Sequence, residues 1–198
     1  MFAFLLQLVA QTLRRPKIAA ETVLGFDLDR RSLWAALGLV SVVSVLFTEF
    51  TLLFVPAEMV AEQGPFPSSP LLLGLVIWGL LVLSVFITHY VGRVFDGQGQ
   101  LDQSLKTVIW MQVVLLSLQV VQIGLFLISP VIAILFGWIG ALYVFYVFLE
   151  FVRILHEFRS LGLVFAGAIV SLIGLMFGIA LAIGLIAAVF GLEVGANV

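Results

Sequence analysis

Residues 107–149 read TVIWMQVVLLSLQVVQIGLFLISPVIAILFGWIGALYVFYVFL and contain no charged side chain. A helix needs about 20 apolar residues to cross the hydrocarbon core of a bilayer, so this stretch is long enough for two crossings. A break falls at Ile128 and Ser129, directly before Pro130. The stretch therefore predicts two membrane-spanning helices joined by a very short connection.

The rest of the chain has the same character. Of its 198 residues, 63% are hydrophobic and 10% are charged, whereas soluble domains carry about 25% charged residues. The mean hydropathy is +1.28. The sequence contains no cysteine, which excludes disulfides, thiolate metal sites and a cysteine nucleophile. No basic patch of the kind that marks nucleic-acid binding is present. This composition predicts an integral membrane protein.

Five stretches are long and apolar enough to span a bilayer. We predict an all-α, five-span transmembrane bundle that forms a single membrane domain over residues 1–198. The spans are expected at residues 33–55, 70–90, 104–127, 130–152 and 161–190.

The nine basic residues fall in three clusters between these runs. They are Arg14, Arg15, Lys17, Arg30 and Arg31, then Arg93 and Lys106, then Arg153 and Arg159. Five spans place all three clusters on one side of the membrane, and an even number would not. Because Lys and Arg are enriched in cytoplasmic loops, the pattern predicts a cytoplasmic N-terminus and a C-terminus on the outer side.

Residues 1–30 are expected to form a cytoplasmic interfacial segment. Phe2, Leu5, Leu6, Val9 and Leu13 share one side of a helix over residues 1–13. That helix is too short to span, and we expect it to lie in the membrane interface near acidic headgroups. Proline cannot continue the hydrogen-bond ladder, so Pro16 should end the helix.

A polar intramembrane site is one reading of Glu49 and the third span. Gln112, Gln119 and Gln122 are spaced by seven and three residues, which puts them on one helix face. Amides in hydrocarbon need partners, so this face should point into the bundle and contact Glu49 through Gln119 or Gln122. The functional alternative is a protonatable site or a polar path for a small solute. The structural alternative is ordinary hydrogen bonding between helices.

The last span carries a row of small residues, which lets two helix backbones approach closely. Its members are Gly167, Ser171, Gly174, Gly178 and Ala182. The row predicts either packing within the bundle or a dimer interface.

Polar residues also collect at the cytoplasmic ends of the spans. We expect Glu150 to pair with His89 or Lys106, because partly buried charges seek partners. No motif frames His89 and His156 as haem ligands. The turn DGQGQLDQ at residues 96–103 lacks the pattern of a calcium or phosphate loop, and Asp102 is expected to cap the third span. We predict no catalytic residue, cofactor or metal site.

The order of these elements resembles the YIP domain family, the Ypt/Rab-GTPase-interacting membrane proteins and their bacterial relatives. The resemblance rests on DGQGQLDQSLK before a helix with Trp110, on GWIGALYVFYVFLEFVRIL, on HEFRSLG before a small-rich last helix, and on RRPK near the start. The chain departs from it at Asp96-Gly97, where members commonly have two glycines, and at MQVVLL, where many have a proline. The resemblance implies five spans with a cytosolic N-terminus.

For this chain, the resemblance suggests a bacterial-type member in the inner membrane. Eukaryotic members are implicated in vesicle traffic and GTPase binding. GTPase binding is not carried over, because the long polar N-terminal region of those members has no counterpart here.

Two functions therefore remain open. The first is a non-enzymatic membrane-organising or scaffold role through lipids, another membrane protein or a second copy of the chain. The alternative is a small transporter or channel-like carrier that uses Glu49 and the glutamine face.

Overall fold

The computed structural model describes residues 2–53 and 69–190, with the backbone alone described at residues 2, 179, 180 and 182–190. These residues form seven helices and no strand. They are α1 (Phe2–Arg14), α2 (Pro16–Leu24), α3 (Arg30–Leu52), α4 (Pro70–Val94), α5 (Leu101–Ile128), α6 (Pro130–Leu155) and α7 (Leu161–Phe190). The end of the predicted first span, at residues 54 and 55, lies outside the described residues, as does the side chain of Ala182.

Within these residues, the five helices α3 to α7 are long and apolar enough to cross a membrane. The predicted all-helical membrane fold with five spans is confirmed. The helices are longer than the predicted spans at one end of the bundle. There α3 and α5 begin at Arg30 and Leu101, and α4 and α6 end at Val94 and Leu155. Hydropathy locates the apolar part of a helix, whereas backbone hydrogen bonds continue into the polar turns beyond it.

Local sequence explains where several helices begin. Pro16, Pro70 and Pro130 occupy first-turn positions of α2, α4 and α6, where the missing N–H costs no hydrogen bond. Asp29 caps α3 by accepting from the Ser32 N–H at 3.1 Å.

The start of α5 differs from the sequence-based expectation. Gln100 and Gln103 form a reciprocal capping box there. Asp102 was expected to cap this helix, but its carboxylate instead accepts from Arg30 Nε at 2.8 Å. The capping role could pass to the two glutamines because their side chains reach each other's backbone N–H groups.

Helix α5 is the centre of the bundle. Helices α1, α2, α3, α4 and α6 all pack on it, while α7 packs on α6 and α4. The largest buried cluster joins α5 and α6 to the N-terminal helices; it comprises Leu8, Val9, Ala19, Ala20, Val23, Trp110, Met111, Val114, Val144, Val147 and Phe151. A second cluster joins α3, α4 and α5 through Leu33, Leu37, Val85, Leu105 and Val108.

The N-terminal helices form a hairpin against the bundle. Helix α1 is the predicted N-terminal helix and ends before Pro16, but the sequence analysis did not predict α2. Proline is favoured at the first position of a helix, so the residue that ends α1 also begins α2. The rings of Phe4 and Phe26 lie 6.4 Å apart at the open end of the hairpin.

Two polar contacts hold the C-terminal end of α1 in place. The indole Nε1 of Trp110 donates to the Thr12 hydroxyl at 2.9 Å, and both side chains are buried. The Tyr143 hydroxyl donates to the Leu13 carbonyl at 2.5 Å. Leu8, Val9 and Thr12 of α1 are therefore buried against protein, while Leu5 and Leu6 remain exposed.

Arg30, Lys106 and Arg153, one from each basic cluster, lie on segments that meet at one end of the bundle, which we call the basic end. Arg30 at the start of α3 pairs with Asp102 at the start of α5. Lys106 Nζ donates to the carbonyls of Leu24 and Phe26, at 2.9 and 2.5 Å. The Gly99 N–H, in the α4–α5 turn, donates to His156 at the end of α6. These contacts tie together the same chain segments that carry the basic residues.

We predict that Thr12→Val destabilises the protein by about 1–3 kcal/mol, because it leaves the buried Trp110 N–H without an acceptor. Unfolding in mild detergent, followed by circular dichroism, measures the loss. Thr22→Val is the matched control, since the Thr22 hydroxyl only donates back to the Ile18 carbonyl of its own helix. Equal losses for the two variants would contradict the assigned role of the Trp110 contact.

Candidate functional site

The glutamine face of α5 is used largely to join helices. Gln112 Nε2 donates to Ser44 Oγ at 2.7 Å and ties α5 to α3. Gln122 Nε2 donates to the Ala133 carbonyl at 3.2 Å and ties α5 to α6. Gly137 leaves the space for that amide, because a Cβ at this position would lie 2.4 Å from Gln122 Nε2. Two of the three predicted polar residues therefore bond to neighbouring helices.

The structure does not bring Glu49 to the glutamines by a hydrogen bond. Glu49 is half-buried on α3 and Gln119 is exposed on α5. Within the described residues, no hydrogen bond joins Glu49 to Gln119, Gln122 or any other group. The contact between α3 and the polar face of α5 is made by Ser44 and Gln112 instead.

The three residues expected to pair at the basic end have separate surroundings. Glu150 pairs with Arg153, one turn away on α6, at 2.7 Å. Lys106 is engaged with the backbone carbonyls after α2. His89 Nδ1 is buried without a hydrogen-bond partner among the described residues, and its ring lies edge-on to Tyr90. The pairing of Glu150 with His89 or Lys106 is not formed.

His156, which the sequence analysis left without a role, is the centre of the basic end. Its side chain is 1% exposed. Nδ1 accepts from the Gly99 N–H at 3.2 Å, and Nε2 lies 2.9 Å from the Thr88 carbonyl. An acceptor at Nδ1 and a donor at Nε2 define a neutral imidazole with its proton on Nε2. The ring thus joins the end of α6 to α4 and to the α4–α5 turn.

Three glycines form the socket for this ring. A Cβ at Gly92, Gly97 or Gly99 would lie 2.1, 2.5 or 2.7 Å from a His156 ring atom. Any larger residue would displace the imidazole. The sequence does show three glycines close together, at positions 92, 97 and 99. Nothing in the sequence around them indicates a contact with a histidine more than 50 positions later.

The helices on both sides of the socket end in the same way. In α4, Gly97 N–H donates to the Gly92 carbonyl and Asp96 N–H to the Arg93 carbonyl. In α6, Phe158 and Glu157 N–H groups make the equivalent bonds to Arg153 and Ile154. These are the two bonds of a Schellman motif. Its left-handed residue is Asp96 in α4 and Glu157 in α6, with φ of 62° and 58°.

The pKa of His156, which follows the last residue of α6, is lowered from its ordinary value. Burial is the main cause, and the nearby His89 and Arg93 also disfavour the charged form. The hydrogen bond to the Thr88 carbonyl acts in the opposite direction. Protonation would also remove the acceptor that the Gly99 N–H uses. The socket therefore favours neutral His156.

An apolar groove runs from the socket along α4, α6 and α7. Its volume is about 280 Å³. Thr88 and Gly92, which contact His156, lie at its wall. Phe158, in the link between α6 and α7, also lines the groove, and its ring stacks on the imidazole with the ring centroids 5.4 Å apart. The His156 socket and the groove therefore share Thr88 and Gly92 in their walls.

The small-residue row on α7 is divided between two environments. A Cβ at Gly167 would meet the ring of Phe95 at 3.5 Å, so this position packs on α4. A Cβ at Gly174 or Gly178 would meet no atom of the described residues within 4 Å. The Ser171 hydroxyl donates to the Gly167 carbonyl of its own helix. The side chain of Ala182 lies outside the described residues.

Within the described residues, no group of three or more His, Cys, Asp or Glu side chains could hold a metal ion. The histidines have the separate surroundings given above.

These features define an integral membrane protein with five apolar helices, whose polar groups serve mainly to hold the helices together. Residues 10–191 match the family model of the Yip1 domain, and the chain belongs to this family. Neither a curated protein nor a solved structure matches the chain. The resemblance to the YIP family inferred from the sequence is thereby confirmed.

We predict that Gly92→Ala destabilises the protein by about 1–3 kcal/mol, because its Cβ would overlap the His156 ring. The midpoint of thermal unfolding in detergent reports the loss. Gly79→Ala is the control on the same helix, since a Cβ there meets nothing within 4 Å. Combining Gly92→Ala with His156→Ala should cost less than the two single changes added together. Additive losses would show that the glycine and the ring do not compete for the same space.

The lowered pKa of His156 predicts a dependence of stability on pH. The unfolded chain takes up a proton at His156 near pH 6.5, and the folded chain does so only at a lower pH. The stability that neutral His156 contributes is therefore fully present above about pH 6.5. It is lost as the pH falls from there toward the pKa of His156 in the folded chain.

Unfolding midpoints measured from pH 8 to pH 5 test this. The unsubstituted protein should lose stability below about pH 6.5 more steeply than His156→Ala, which is less stable at pH 8. His89 is present in both proteins, so its effect largely cancels. Parallel pH profiles would contradict a neutral, buried His156.

Proposed function

We propose that this chain is a non-enzymatic membrane-organising protein that acts through a partner helix, either on a second copy or on another membrane protein. The observation that carries the proposal is the open part of the α7 row. Among the described residues, a Cβ added at Gly174 or Gly178 would meet nothing within 4 Å. Small residues at this spacing permit close helix approach.

The surroundings of the row support this assignment. α7 packs only on α6 and α4 among the helix pairs with substantial contact, and Gly167 already uses its end of the row against Phe95. Exposed side chains flank the open glycines, among them Ile173 and Phe177. Large side chains beside small residues form ridges and grooves, against which a second helix can pack.

The proposal also includes the orientation of the protein in the membrane. The basic end joins the clusters that contain Arg30, Lys106 and Arg153. Since basic residues favour the cytoplasmic side, we assign the basic end and the N-terminus to the cytoplasm, the C-terminus to the outer side and the protein to a bacterial inner membrane.

A carrier that uses Glu49 is the second candidate. Glu49 lies half-buried within a span and makes no recorded hydrogen bond among the described residues. A carboxylate in this position can act as a protonatable site. Against this use, the amides of Gln112 and Gln122 are engaged in interhelical hydrogen bonds rather than aligned along an open path.

We predict that Gly174→Leu with Gly178→Leu reduces association of the protein in liposomes of fixed lipid composition. Energy transfer between donor- and acceptor-labelled copies measures self-association, and co-purification of labelled membrane proteins measures association with a different partner. The leucine side chains should separate the helices and lower either signal severalfold. Gly79→Leu with Gly124→Leu is the matched control, since both glycines also face open space.

The same liposomes separate the two candidates. Two results together would favour the carrier over the organising role. A proton or monovalent-cation flux would disappear in Glu49→Gln, and the α7 leucines would leave association unchanged. Association that depends on Gly174 and Gly178 without flux supports the organising role.

A further inference from the structure

The groove beside the socket has the shape of a site for one hydrocarbon chain. Its walls are apolar side chains from three helices, including Ile87 and Val91 of α4, Phe145 of α6 and Leu172 and Leu175 of α7. Its volume of about 280 Å³ is at the lower end of the range of ligand pockets. This volume suits part of a single chain rather than a whole two-chain lipid.

The groove is accessible from the side of the bundle. Phe145, Leu163, Ile169 and Leu172 line it and are also among the exposed large side chains of the protein. These residues belong to the spanning helices α6 and α7. In a bilayer, the medium at that surface is the acyl chains of lipids, which can enter laterally without crossing water.

An acyl chain gains little by leaving the bilayer for the groove. Lipid tails are as apolar as the groove wall, so the hydrophobic effect does not drive this transfer. Selective occupation therefore depends on the lipid headgroup, and the end of the groove at the membrane surface decides which headgroup fits.

Charged residues of both signs lie near that end in the sequence. Phe95 and Phe158 line the groove at the basic end. Asp96 follows Phe95 directly and Arg93 lies two positions before it, while Glu157 and Arg159 are the direct neighbours of Phe158. These four charged residues are exposed, and none forms an ion pair within the described residues.

The two Schellman turns produce this arrangement. Asp96 and Glu157 are the left-handed residues of the turns, and each turn reverses the chain immediately beside its phenylalanine. His156 links the turns to each other through Gly99. The backbone and the imidazole thus hold the two turns, with their charged residues, next to the two phenylalanines that line the groove.

We propose that the groove binds one acyl chain of a zwitterionic aminophospholipid, whose headgroup combines a phosphate and a primary ammonium. Arg93 and Arg159 supply cations for the phosphate, and guanidinium groups suit phosphate through paired N–H donors. Asp96 and Glu157 supply acceptors for the ammonium. An anionic headgroup without an amine would satisfy the arginines but would place its negative charge beside the two carboxylates.

The lipid site goes beyond the proposed function and uses different residues from the α7 row. Its test uses the full-length protein in detergent, mixed with phosphatidylethanolamine, phosphatidylcholine or phosphatidylglycerol of identical acyl chains. Native mass spectrometry measures the lipid retained by each sample. We expect phosphatidylethanolamine to be retained best, since it alone of the three combines the phosphate with a primary ammonium.

Charge variants test the headgroup assignment. Arg93→Gln with Arg159→Gln should lower retention of phosphatidylethanolamine roughly three- to fivefold, as expected for the loss of exposed ion pairs. Asp96→Asn with Glu157→Gln should reverse the preference toward phosphatidylglycerol. Arg14→Gln with Arg15→Gln is the matched control, because it removes the same charge from the exposed hairpin and should leave the preference unchanged.

A groove variant tests the chain assignment. Ala168→Phe should fill the groove and lower retention of all three lipids, whereas Ala141→Phe, on the exposed side of α6, should not. If Ala168→Phe fails to fold by circular dichroism, the exposed charge variants still decide the question.

Equal retention of the three lipids, a preference for phosphatidylglycerol in the unsubstituted protein, or retention insensitive to the charge variants would overturn the proposal. These outcomes leave association through Gly174 and Gly178 unaffected. Conversely, loss of the proposed association without a change in lipid preference would remove the organising role and leave the lipid site in place.

Discussion

The contact between His156 and the α4–α5 turn determines how the basic end is built. The imidazole bonds to the Gly99 N–H and the Thr88 carbonyl, and three glycines leave room for it. This one side chain fixes the end of α6 relative to the end of α4 and the start of α5. Because α7 follows α6 after a short link, the same contact also determines where α7 meets α4 and where the apolar groove opens.

Several polar groups inside the bundle form hydrogen bonds to neighbouring helices. In an apolar medium, a hydrogen-bonding group needs a partner within the protein. Gln112 donates to the Ser44 hydroxyl, Gln122 donates to the Ala133 carbonyl, and the Trp110 N–H donates to the Thr12 hydroxyl. Each of these bonds joins helices that apolar packing alone would leave free to rotate or slide. The polar residues of the spans therefore specify the arrangement of the bundle, while the open surfaces of α7 and of the groove remain for contacts with other molecules.

The N-terminal hairpin extends this logic beyond the spans. Its buried residues Ala19, Ala20 and Val23 are small or branched and allow α2 to approach α5 and α6 closely. Lys106 then ties the end of the hairpin to α5 by donating to the carbonyls of Leu24, the last residue of α2, and of Phe26. A lysine that the sequence presents as part of a basic cluster thus serves as a hydrogen-bond donor at the end of a helix, where cations are favoured.

The sequence by itself determined the number of spans, because apolar length is a local property that a bilayer of fixed thickness selects. It also indicated the family, and it indicated which residues of the third span need partners. It predicted neither the second N-terminal helix nor the separate surroundings of Glu150, His89 and Lys106. Only the tertiary structure decided that His156 occupies a socket of glycines and that Phe95 and Phe158 line one groove. The physical reason is that these contacts join segments distant in the chain, whereas hydropathy and residue spacing describe each segment alone.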